Sequence, residues 1–92
     1  MVVVRAEMQG DAWLCRVTVD HSGQRTRHLV TVTRRDVDRW ALGTDRKDIE
    51  RLVEQSFGFL LEREPPSSIL ATFDLAVIQR YFPDYDSAFK RP

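Results

Sequence analysis

The sequence predicts an α+β fold in a single domain, residues 1–92. A three-stranded antiparallel β-meander at about 2–8, 12–19 and 26–33 packs against a long central helix at about 45–63, with short helices at about 34–42 and 75–82. Three observations carry this expectation. Residues 2–33 alternate apolar and polar side chains with the period of two that belongs to strands, and glycine-containing turns interrupt the alternation twice. From Asp45 to Glu64 the period changes, and Ile49, Leu52, Val53, Phe57, Leu60 and Leu61 recur at three-and-four spacing. With Phe59 included, the apolar arc of that helix spans roughly 200° at about 100° per residue, too wide for a single neighbour. A sheet on one side and C-terminal segments on the other are therefore expected to cover it.

The first strand places Val2, Val4, Ala6 and Met8 on one face and Val3, Arg5 and Glu7 on the other. Gln9-Gly10 supplies a turn. Setting Met8 opposite Asp11 pairs Ala6 with Trp13, Val4 with Cys15 and Val2 with Val17. A second turn at His21-Ser22-Gly23-Gln24 pairs Val17 with His28, Cys15 with Val30 and Trp13 with Val32. Both pairings put the same residues inside, namely Val2, Val4, Ala6, Trp13, Cys15, Val17, Val19, His28, Val30 and Val32. The outward face carries Val3, Arg5, Glu7, Leu14, Arg16, Thr18, Arg25, Arg27, Leu29 and Thr31, with Asp20 opposite Arg25.

Thr33 and Asp36 read as the aspartate form of a capping box opening the first helix, whose apolar side is Val37, Trp40 and Ala41. Gly43 suits a left-handed position after its end. Thr44 or Asp45 starts the central helix, with Asp45, Asp48 and Glu50 near its positive end. Gly58 falls on the polar side of that helix, where a bend or a close backbone approach would account for it. Pro65-Pro66 ends the helix. A single helical turn is expected within Ser67–Phe73, and Asp74 is the expected cap of a last helix, Leu75–Phe82, stopped by Pro83. Ile69, Leu70, Phe73, Ile78 and Phe82 are the candidates to cover the far side of the central helix. Tyr85 and Phe89, four apart, are placed to pin the tail, and Lys90–Pro92 to fray.

Lys+Arg and Asp+Glu both number 14, so no net field draws the chain to nucleic acid or anionic lipid. The halves differ. Residues 1–47 hold nine basic and six acidic side chains and residues 48–92 five and eight, which gives +3 and −3. Cys15 is the only cysteine, so no intrachain disulfide forms, and a cytoplasmic location is expected. No apolar run approaches the ~20 residues of a membrane span, and the N-terminal stretch lacks the pattern of a signal peptide.

Catalytic and metal-binding constellations are not legible. His21, His28 and Cys15 are too few and too dispersed for a metal site. Cys15 and His28 stand one register step apart, the arrangement of a thiol nucleophile and its base, so an enzyme using Cys15 is the last of three functional readings. An inward cysteine between Val4 and Val30 more simply belongs to the core. Glu50, Glu54, Glu62 and Glu64 alternate with Arg51 and Arg63 as on a solvated helix face. The four glycines are isolated, so no phosphate loop can be written. No cofactor is expected.

The surface that stands out is the outward sheet face with its continuation into the first helix: Arg5, Arg16, Arg25, Arg27, Leu14, Leu29, Arg34 and Arg35. Arginine forks suit carboxylate or phosphate, and arginine among apolar residues is enriched in protein interfaces. The first reading is a non-enzymatic protein–protein interaction module that uses this face or a sheet edge, for an unidentified protein partner or for self-association. The second is a nucleic-acid-associated regulatory protein using the N-terminal arginine cluster. The face lacks the aromatic residues on which bases stack, which disfavours it.

The runs His28-Leu29-Val30-Thr31-Val32, Ser56-Phe57-Gly58-Phe59-Leu60-Leu61-Glu62-Arg63-Glu64-Pro65 and Arg80-Tyr81-Phe82-Pro83 resemble those of a group of small uncharacterised bacterial proteins. The resemblance extends from Trp13 to Tyr85. It implies a freestanding bacterial protein of unknown function and assigns no site residue.

Overall fold

The computed structural model describes residues 1–91. Strands β1 (Val2–Gln9), β2 (Ala12–His21) and β3 (Gln24–Val32) form the antiparallel meander. Helices α1 (Arg34–Trp40) and α2 (Arg46–Leu61) follow, then a 3-10 turn (Pro66–Ser68) and a fourth strand, β4 (Thr72–Asp74). Two short helices close the chain, α3 (Val77–Tyr81) and α4 (Asp84–Phe89). The sheet order is β1-β2-β3-β4, with β4 parallel to β3.

The β2–β3 register is the expected one, including Asp20 opposite Arg25. The β1–β2 register differs by two residues: Val4 faces Val17, Ala6 faces Cys15 and Met8 faces Trp13. Turn chemistry is the cause. Gly10 takes φ +62° as the first of two central residues, Gly10-Asp11, so only the glycine needs a positive φ. A turn centred on Gln9-Gly10 would have placed the larger Gln9 there instead. A shift of two preserves parity, so every side chain keeps its expected face. Ala6, Cys15, Val17, Val19, His28, Val30 and Val32 are buried inward, and Val2, Val4 and Trp13 pack partly buried against them.

Thr33 caps α1 in a reciprocal box with Asp36, and α1 ends at Trp40. Gly43 is not in the left-handed region, contrary to expectation; Ala41 is the extended residue closing α1. Its need for glycine is steric, since a Cβ there would lie 2.8 Å from the Asp48 carboxyl carbon. That carboxylate accepts the Asp45 N–H at 3.2 Å and so closes the start of α2. Gly58 is solvent-exposed with open space around its Cα, so no backbone approaches it.

The arc of α2 is covered from two sides, as its width requires. Ile49, Val53 and Phe57 have no solvent exposure, and α2 lies chiefly across β1. On the far side Phe59 meets Tyr85, Phe82 and Phe89 edge-on at 5.4, 6.1 and 5.9 Å, and Ser56 Oγ lies 2.7 Å from the Tyr85 hydroxyl. Tyr85 stacks on Phe89 at 4.4 Å, so the tail is pinned through a helix, α4. Ile69, Phe73 and Ile78 contribute buried surface, whereas Leu70 remains 49% exposed.

Asp74 does not cap a helix. It ends β4, whose alternation of exposed Thr72, buried Phe73 and exposed Asp74 is that of a strand. Leu29 N–H donates to Ala71 O at 2.7 Å and Leu75 N–H to Thr31 O at 2.9 Å, which fixes the added strand against β3. Lys90 and Arg91 are tethered, not frayed: Lys90 donates its N–H to Asp86 O at 2.8 Å, and Arg91 donates its N–H to Arg39 O at 3.2 Å and its guanidinium to Asp38 O at 3.0 Å. Pro92 lies outside the described residues.

Replacing Gly58 by Ala should stabilise the fold by about 0.5–1 kcal/mol, because the helix gains a better former and nothing is displaced. Gly43→Ala should cost about 0.5–2 kcal/mol through the displaced Asp48 cap. Urea unfolding of both variants checks the opposite signs.

Asp86 accepts from Arg39 Nε and Nη2 at 2.6 and 2.8 Å and from Trp40 Nε1 at 2.8 Å. The Arg39 bonds first and the Trp40 bond second hold its carboxyl down at about 2. An unfolded aspartate titrates at about 3.9, so this stabilisation is present above that value and is lost as pH falls toward 2. Thermal unfolding of Asp86→Asn should therefore lose stability less steeply than the parent across that acid window.

Candidate interaction surface

The outward face of the sheet is built in cross-strand rows. Val3, Thr18 and Arg27 form one; Arg5, Arg16, Leu29 and Thr72 form the next; Glu7, Leu14, Thr31 and Asp74 the third. The first two rows border a shallow depression of about 550 Å³, reached by Val3, Arg5, Arg16, Thr18, Arg27 and Leu29 from the meander and by Ala71 and Thr72 from the β4 side. Val3 and Leu29 are 48% and 37% exposed, an apolar floor among guanidinium groups.

The charges are unevenly compensated. Arg16 forms an ion pair with Glu7, and Arg25 with Asp20 at 3.0 Å. Among the described residues no carboxylate pairs with Arg5 or Arg27. Arg5 stands directly opposite Arg16, and like charges in directly opposed cross-strand positions are destabilising. No Phe, Tyr or Trp lines the depression, and its one ring residue, His28, is buried with its ring against Phe57.

The structure brings together part of the expected arginine set. Arg5, Arg16, Arg27 and Leu29 converge. Leu14 lies one row away, between Glu7 and Thr31, and Arg25 is held at the hairpin end by Asp20. Arg34 is exposed on the first turn of α1 and does not reach the depression, while Arg35 opens onto a separate cavity with Asp38, Arg39, Lys90 and Arg91. Thr72 joins the face only because β4 extends the sheet. Its one sequence signal was the brief alternation over Thr72–Asp74.

The β1 edge is blocked at one point, Ala6. Glu50 of α2 reaches over it and accepts the Ala6 N–H at 2.8 Å, while α2 itself backs the strand. An inward-reaching charge and a covering helix are two of the devices that keep an edge from adding a strand. The β4 edge is three residues long.

The residues of the catalytic alternative are both buried. Cys15 has no solvent exposure, and burial first, with the Glu50 charge second, pushes its thiol up to about 12. His28 faces Val17, one register step from Cys15, as expected. Its Nδ1–H donates to Leu70 O at 2.7 Å, leaving Nε2 to accept from the Thr26 hydroxyl at 2.8 Å, with Phe57 against the ring at 5.2 Å. Among the described residues no group of three or more His, Cys, Asp or Glu is placed to hold a metal ion, and no helix is long and apolar enough to cross a membrane. Comparison with family models, with curated proteins and with solved structures finds no match.

A buried, protonated thiol reacts slowly. At pH 8, Cys15 of the native protein should react with a disulfide reagent about a hundredfold or more slower than in denaturant. Fast native labelling would restore the nucleophile reading.

Proposed function

We propose that this protein is a non-enzymatic binding module that receives an acidic segment of a partner protein on the outward face of its sheet. The opposition of Arg5 to Arg16, with Arg27 in the adjoining row, supports this reading most. Glu7 already holds Arg16, so the guanidinium groups left without a carboxylate are Arg5, opposite it, and Arg27, and a partner carboxylate laid against them offsets the like-charge cost. Val3 and Leu29 give the same ligand an apolar floor, the mixture of arginine and apolar surface found at interfaces. The hold of Glu50 on the Ala6 N–H interrupts the β1 edge and turns the reading from strand addition toward the face. The lack of Phe, Tyr and Trp favours a protein over a nucleic acid, and the resemblance of the Ser56–Pro65 and Arg80–Pro83 runs to small bacterial proteins supports a bacterial source.

The double variant Arg5→Glu/Arg27→Glu should lower recovery of the co-purifying partner by roughly tenfold or more, with its circular dichroism unchanged. Equal recovery would overturn the proposal. So would retention that follows added nucleic acid and falls with salt in the manner of counterion release. Arg5→Thr alone should weaken capture while raising stability by about 0.2–1 kcal/mol, a trade that a purely solvated face would not show.

A further inference from the structure

A second concave site shares no lining residue with the arginine depression. It lies between the C-terminal end of α2, the segment after the 3-10 turn and α3, and encloses about 380 Å³. Leu60, Phe73 and Ile78 form a buried floor, while Leu70 and Tyr81, 49% and 69% exposed, flank it. Glu64 is the one charged residue lining the cleft; it is half-buried and forms no ion pair among the described residues.

The walls are held from behind. Phe73 is fixed in β4 opposite Val30 and meets the Phe57 ring at 6.1 Å. Ile78 donates its N–H to Leu75 O at 3.1 Å and accepts from Phe82 N–H at 2.8 Å. A cleft preformed in this way costs little to organise around a ligand, and its volume falls in the range of small-molecule sites, about 300–1,000 Å³. The chemistry of the lining sets the ligand class. An apolar floor accepts a chain or ring, and a lone carboxylate at the side selects a cationic head and rejects an anionic one.

We propose that this cleft binds a small amphiphilic organic cation, its apolar body over Leu60, Phe73 and Ile78 and its ammonium group at Glu64. The side chain of Tyr81 covers the exposed side of the bound chain.

Titration of the intact protein with n-octylammonium, octanoate and 1-octanol, followed through the methyl resonances of Leu60 and Ile78, tests the assignment. Octylammonium should give saturable shifts, with octanoate binding about tenfold or more weakly and octanol between them. Glu64→Gln should erase the preference for the cation, and Glu64→Lys should reverse it; both change the half-buried side of the cleft and leave the floor residues in place. The proposal fails if octylammonium produces no saturable shift up to about 10 mM, the weak end of measurable affinity. It also fails if octanoate binds equally well or if the preference survives Glu64→Gln. Shifts at Leu60 and Ile78 that follow protein concentration without ligand would assign the cleft to a second copy and overturn it as well.

Discussion

Phe57 is the contact on which the two sides of this molecule meet. It has no solvent exposure because the sheet covers one flank of α2 and the segment leading into β4 covers another. The His28 ring lies against it at 5.2 Å and Phe73 at 6.1 Å. His28 in turn binds the Leu70 carbonyl, so one imidazole joins β3, α2 and the strand that β4 adds. A phenylalanine fully buried is worth about 1.5–3 kcal/mol in transfer alone, and here it also aligns the elements that carry the surface. A buried histidine with both nitrogens satisfied fits that role, since neither ring atom nor carbonyl is left without a partner.

The parts of this arrangement legible in the sequence are those set by periodicity. Strand alternation assigned the faces of β1, β2 and β3, and it did so despite the two-residue error in the β1–β2 register, because parity survives an even shift. Helical spacing marked α2 and the need for cover on two sides. What was not legible depends on geometry that period does not encode. Gly10 rather than Gln9 opens the first turn because only one central residue there has positive φ. Asp74 carries a cap-forming side chain yet ends a strand, since the carbonyl of Thr31 and the amide of Leu29 offered it a sheet edge. A three-residue strand has too little alternation to outweigh a helix signal, and its existence depends on contacts more than forty residues away in the chain.

The arginine set shows the same division. Its residues were identifiable by type and face, but their grouping was decided by rows. Arg5 and Arg16 became neighbours through the observed β1–β2 register; with Met8 opposite Asp11, Arg5 would have stood opposite Leu14. Arg25 was neutralised by the carboxylate opposite it, and Arg35 was carried to another side of the molecule by α1. The functional reading therefore rests on a smaller group than the sequence suggested, and on one that local electrostatics disfavours in isolation.

That cost is informative because the same chain removes similar liabilities elsewhere. The edge-facing N–H of Ala6 on β1 is taken up by Glu50, and the start of α2 is closed by Asp48 at the expense of any side chain on Gly43. Arg39 is matched to Asp86 through two hydrogen bonds, and Arg63 both pairs with Asp84 and lies over the Phe59 ring at 3.5 Å. Most basic side chains carry no ion pair among the described residues, and of these only Arg5 and Arg27 border the depression floored by Val3 and Leu29. An open edge would have offered a partner the backbone, with affinity drawn from ladder hydrogen bonds and little dependence on charge. At Ala6 that backbone is already held by Glu50, and the unpaired side chains of the outward face, Arg5 and Arg27, have the fork geometry that a carboxylate matches.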